Sequence, residues 1–85
     1  MTAKEMFEAL GYKLTLPYNS KNENYAYLYI KDYGNKYHEI RFMFRDKIVQ
    51  CSKIFYDDKK MWSLSIDIET QKAITQQMKE FGWLE

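Results

Sequence analysis

The sequence predicts an α+β domain: an N-terminal helix, a four- to five-stranded antiparallel meander and a C-terminal helix, with both helices on one sheet face. Three observations predict it. Each end of the chain carries apolar residues at helical spacing that stop at a Gly-aromatic pair, Gly11-Tyr12 and Gly82-Trp83. The stretch between them alternates apolar and polar residues and is cut by short segments of turn formers. The chain has 85 residues, which is enough for one core and no second, so residues 1–85 are a single domain.

The first helix is expected over 2–10. Thr2 and Glu5 stand at capping-box spacing, where hydroxyl and carboxylate each satisfy an orphan backbone N–H. Ala3, Met6, Phe7 and Leu10 form one apolar stripe. Gly11 offers the left-handed residue of a Schellman cap, and Tyr12 the apolar contact that accompanies it. The second helix repeats the design, with Asp67 as N-cap and Glu69 in its first turn. Its stripe is Ile74, Met78 and Phe81, joined by Ile68 and Ala73, and Gly82 and Trp83 close it.

Between the helices, residues 13–16 read as a short strand stopped by Pro17, and 17–24 as a polar loop. Residues 25–31 alternate, with Tyr25, Tyr27, Tyr29 and Lys31 on one face and Ala26, Leu28 and Ile30 on the other. The Ala-Leu-Ile set is assigned inward. After a turn at 32–35, residues 37–44 place Ile40, Phe42 and Phe44 inward and Tyr37, Glu39, Arg41 and Met43 outward. A reversal at 45–47 leads into 48–56, whose mixed pattern suggests a bulge near Ser52. Residues 61–66 then set Trp62, Leu64 and Ile66 inward and Met61, Ser63 and Ser65 outward. Short turns make the connections hairpins.

Composition narrows the function classes. A net charge of +1, from 13 basic and 12 acidic residues, gives no electrostatic case for strong binding to nucleic acid or anionic lipid. A single cysteine, Cys51, allows no intrachain disulfide. No stretch has the length of a signal peptide or membrane span, so a cytoplasmic protein with no membrane partner is expected. The aromatic share is 18%, with eight Tyr, a residue suited to half-buried sheet positions and interfaces.

No catalytic constellation is expected. His38 and Cys51 are the only soft ligands and have no partner at metal-ligand spacing; Asp57-Asp58 reads as a solvated turn. Cys51 and His38 are the one nucleophile-base pair available, on adjacent strands if 37–44 pairs with 48–56, with no third group to orient them. The three glycines are not clustered, so there is no phosphate loop. The chain is therefore expected to be no enzyme and to need no cofactor or metal.

A face not covered by the helices remains. The expected candidate surface is Tyr25, Tyr27, Tyr29, Lys31, Tyr37, Arg41, Met43 and Arg45. It suits a protein partner, with a homodimer as one form. The alternative is single-stranded nucleic acid, because aromatic rings with interleaved cations make a stacking platform. Against both stands the ordinary role of Tyr in sheet packing.

The two ends also resemble a set of small proteins from phages and prophages of Gram-positive bacteria. The opening Met1-Thr2-Ala3-Lys4-Glu5-Met6-Phe7-Glu8-Ala9-Leu10-Gly11-Tyr12 is similar to theirs. So is the ending Lys72-Ala73-Ile74-Thr75-Gln76-Gln77-Met78-Lys79-Glu80-Phe81-Gly82-Trp83, where Phe81 replaces their usual Leu. The likeness covers about a third of the chain. It implies phage ancestry and a setting in the host cytoplasm, and it supplies no catalytic residues; the expected role of a non-enzymatic accessory module rests on the missing catalytic constellation and the uncovered face.

Overall fold

The computed structural model describes residues 1–19 and 25–84, and the side chains of 16–19, 25 and 26 are not described. Helix α1 (Ala3–Ala9) is followed by strands β1 (Lys13–Asn19), β2 (Tyr25–Asp32), β3 (Lys36–Met43), β4 (Ile48–Phe55) and β5 (Met61–Ser63), then helix α2 (Ile68–Glu80). The strands pair antiparallel in chain order, β1-β2-β3-β4-β5. This is the α+β meander that the sequence predicts.

Local chemistry marks the helix ends. Glu5 N donates to Thr2 Oγ1 at 3.2 Å and Thr2 N donates to Glu5 Oε1 at 2.9 Å, completing the capping box. These bonds hold the Glu5 carboxyl below its ordinary pKa. At the other end Gly11 takes φ +94°, Gly11 N donates to Glu8 O and Tyr12 N to Phe7 O, the Schellman pair. Helix α2 starts at Asp67, whose carboxylate accepts from Thr70 N at 2.8 Å. It ends with Gly82 N on Lys79 O and Trp83 N on Met78 O, with Gly82 at φ +77°.

Neither helix is long enough to stand alone. They pack against each other and onto one sheet face, and Ala3 N donates to Glu80 Oε2 across the pair at 2.7 Å. The core beneath them is aromatic: Phe7 stacks on Tyr29 with ring centroids 4.0 Å apart, and Phe42 meets both edge-on. Phe81 lies among Tyr27, Phe42, Phe44 and Trp83 at 4.7–5.7 Å. Tyr12 is 7% exposed, as its cap position predicts, and burial pushes its hydroxyl up to about 12.

Several expectations are corrected. The phase of β2 is the reverse of the one assigned, since Tyr29 is fully buried and Tyr27 packs against the same core, while Leu28 and Ile30 face away. The pairing decides this: Tyr29 sits opposite Ile40 and Tyr27 opposite Phe42, and residues directly opposite share a face. Strand β1 does not stop at Pro17 but runs to Asn19 through an irregularity between Thr15 and Tyr18. It is an edge strand, where a missing N–H is tolerated. No bulge occurs near Ser52, where β3 and β4 pair in unbroken register. Trp62 lies on the helix side of β5 but beyond the helices, 55% exposed, and Ile68 is 73% exposed instead of joining the α2 stripe. The expected loop at 20–24 lies outside the described residues.

Candidate interaction surface

The sheet has two unlike faces. One is covered by α1 and α2. The other has no element over it among the described residues, and the shortest extent of the molecule, 20 Å, is that of two layers. The register places Leu28 and Ile30 of β2 on this open face. It adds Tyr37, Glu39, Arg41 and Met43 of β3, Ile48 and Ile54 of β4, and Met61 of β5.

Along β3 and β4 the face is apolar at both strand ends and polar between them, whereas on β2 Leu28 and Ile30 lie beside Arg41 and Glu39 and Asp32 ends the strand. At one end Tyr37 and Tyr56 approach to 5.2 Å, and the Tyr56 hydroxyl donates to Asp32 Oδ2 at 2.9 Å. That bond raises the Tyr56 pKa, and the Asp32 pKa is lowered by a bond from Gly34 N and, after it, by the one from Tyr56. Tyr56 and Met61 are 40% and 56% exposed around Ile54, which they and Tyr37 leave only 6% exposed. At the other end lie Met43 and Ile48, the latter 46% exposed. In the middle Arg41 Nε donates to Glu39 Oε1 at 3.0 Å, with the Glu39 side chain 8% and the Arg41 side chain 38% exposed. The face thus exposes apolar area in two places, around Tyr56 and Met61 at one end and at Ile48 at the other.

Of the eight residues expected on the candidate surface, Tyr37, Arg41 and Met43 are there. Tyr27 and Tyr29 are not, because they form the core; Tyr29 donates to Gln77 Oε1 of α2 at 2.5 Å, and burial raises its hydroxyl pKa. Lys31 is on the helix side, its Nζ 5.9 Å and 5.5 Å from the rings of Tyr12 and Tyr33. Arg45 is exposed in the β3–β4 turn, and the side chain of Tyr25 lies outside the described residues. The residues missed are Leu28, Ile30, Ile48, Ile54, Tyr56 and Met61. Pairing with β3 is the signal for Leu28, Ile30, Ile48 and Ile54; Met61, outward in the sequence reading too, joins the face by pairing with Ile54, and Tyr56 through its contact with Tyr37.

The one nucleophile-base pair does not assemble. Cys51 is opposite Ile40 and His38 opposite Lys53, so the two are diagonal neighbours, roughly 7–8 Å apart by ordinary sheet geometry. Burial pushes the Cys51 thiol up, which disfavours the thiolate. His38 leans on Tyr33 at 4.5 Å, and its buried Nε2 has no hydrogen-bond partner among the described residues. Burial, aided by Lys36, Lys53 and Lys31, lowers its pKa. It borders a cleft of about 200 Å³ between the start of α2 and the sheet, with Tyr12, Lys31 and Asp67. Among the described residues no three His, Cys, Asp or Glu side chains converge as metal ligands.

Fold and surface together define a class: a two-layer α+β domain with a helix-covered face and an open, half-apolar one. No protein-family model matches the chain, and neither a curated protein nor a solved structure is significantly similar to it. No helix among the described residues is long and apolar enough to cross a membrane.

Proposed function

We propose that this chain is a non-catalytic interaction module that binds a protein partner through the open face of its sheet. The single observation that carries the proposal is the composition of that face, where Ile48, Tyr56 and Met61 stand 40–56% exposed and no element among the described residues lies over them. Interfaces favour Tyr, Met and Arg at their centres, and this face supplies all three. The likeness of the two ends to small phage proteins supports a setting in a host cytoplasm.

Single-stranded nucleic acid fits less well. The stacking ladder that reading needs includes Tyr27 and Tyr29, whose rings are used in the core. Arg41, its main cation, is engaged by Glu39.

Affinity capture from cells that make the protein tests the proposal. The bait is compared with Ile48→Asp/Met61→Asp on the open face and Ile68→Asp on the helix side. A captured protein lost with the first bait and retained with the second supports it. Capture indifferent to the open face, or salt-sensitive oligonucleotide binding in its place, removes it.

A further inference from the structure

We infer that the partner seated on the open face is a second copy of this chain, packed sheet to sheet about a two-fold axis that crosses β3 at the level of Ile40. The inference rests on the proposed use of that face and adds the identity of its occupant. What points to it is a symmetry in the surface chemistry along the strands. An axis lying in the interface and perpendicular to β3 reverses each strand over its own copy. It carries Glu39 onto Arg41 of the other copy, and Arg41 onto Glu39. The same operation sets Tyr37 on Met43 and, one strand over, Ile54 on Ile48 and Ser52 on Gln50. On the other side it sets Ile30 on Leu28. Over β3, β4 and the middle of β2 apolar residues meet apolar ones, the polar pair meets itself, and Glu39 and Arg41 meet their opposites; at the periphery Asp32 stands over the level of Ala26 and Lys13 over that of Thr15. An isologous interface needs this self-complementarity, whereas an unrelated partner does not require it of one surface.

The charges set the register. Arg41 already donates its Nε to its own Glu39 and keeps a side chain 38% exposed. Its remaining guanidinium N–H groups are free by count to reach the second copy's Glu39, giving a ring of four alternating charges at the centre of the contact. A shift of one residue pair along β3 would bring like charges together or leave one charge against an apolar side chain, both costly in a desolvated centre. The area is adequate. Three strands with four outward residues about 6.8 Å apart, flanked by two shorter edge strands at a spacing of about 4.8 Å, make a footprint of roughly 500 Å². Corrugation raises the accessible surface above that footprint, toward the ~800 Å² per partner of a standard interface. Facing sheets cross at about −30°, so the pairs near the axis hold closest and the edge strands β1 and β5 diverge.

Charge-swap sedimentation tests this. Wild type should sediment as a dimer at tens of micromolar, within the range expected of a standard-sized interface. R41E places four carboxylates at the centre and E39R four guanidiniums, so each alone should weaken self-association at least about tenfold. An equimolar mixture of the two should restore a heterodimer. The double variant E39R/R41E, which keeps opposites facing, should remain a dimer, and circular dichroism checks that each variant folds. Wild type that stays monomeric near 1 mM overturns the inference, as does a folded E39R/R41E that is monomeric or a mixture that does not associate. If wild type is monomeric while open-face substitutions still release a captured protein, the occupant is a different partner: this inference fails and the functional reading stands. If neither effect is seen, both fail.

Discussion

Replacing Tyr29 with serine tests the reversed phase of β2 directly, because the two faces of this strand make opposite predictions. Tyr29 is fully buried, stacked 4.0 Å from Phe7, and its hydroxyl donates to Gln77, itself 4% exposed. Removing a buried aromatic ring costs about 3–5 kcal/mol in lost transfer energy and cavity. Stranding the Gln77 carbonyl adds about 1–3 kcal/mol, since a buried acceptor loses water and gains nothing. The sum approaches the whole stability of an 85-residue domain, roughly 4–13 kcal/mol. Tyr29→Ser is therefore expected to leave the chain largely unfolded at room temperature. Tyr29→Phe keeps the ring and isolates the hydrogen bond, so it should cost only about 1–3 kcal/mol, lowering Tm by about 4–8 °C for each kcal/mol. Tyr29→Phe combined with Gln77→Leu removes both partners and should recover most of that loss. Urea denaturation followed by circular dichroism gives the midpoint and slope for each variant. Ile30→Ser, on the open face, is the control and should be much milder than Tyr29→Ser. The reasoning is refuted if Tyr29→Ser leaves the midpoint unchanged while Ile30→Ser unfolds the protein.

Other predictions address the caps, the thiol and the histidine. Gly82→Ala meets no atom within 4 Å but must hold φ near +77°, so it should cost about 1–2 kcal/mol of backbone strain in the same denaturation assay. Gly11→Ala, at φ +94°, places its Cβ 3.0 Å from Lys31 Cε, the flexible part of a side chain, and should cost the same or slightly more. Iodoacetamide at pH 8 should modify Cys51 more slowly in the folded chain than in urea, because burial suppresses its thiolate; equal rates would contradict this. His38 has a folded pKa below its unfolded value, so the unfolded state binds more protons as the solution is acidified. Its contribution is present above about pH 6.5 and is lost as the pH falls toward its folded pKa. His38→Phe should flatten the fall in stability between pH 7 and 5, and an unchanged slope would assign that fall to other groups.

The candidate surface was partly legible. On β3 the outward set Tyr37, Glu39, Arg41 and Met43 is unambiguous, because Ile40, Phe42 and Phe44 leave no other inward choice. On β2 the period-two pattern separates Tyr25-Tyr27-Tyr29-Lys31 from Ala26-Leu28-Ile30 but does not say which set is buried. Both have enough apolar area, and hydropathy favours the aliphatic one. On β4 both sets are mixed, and only pairing to β3 puts Ile48 and Ile54 on the same face as Arg41.

The helix ends and the order of elements follow from local residues alone. Thr2 with Glu5, Asp67, Gly11 and Gly82 act through bonds to backbone a few residues away, and short turns allow only neighbouring strands to pair. Such signals are complete within a local window. The tertiary structure decided which side of β2 is the core, and with it which side of the protein is open. The decisive contact joins Tyr29 to Gln77, 48 residues further along the chain. A tyrosine hydroxyl is costly to bury without a partner, and only the docked second helix supplies one. With that bond made, the rings turn inward onto Phe7, and Leu28 and Ile30 are left facing out.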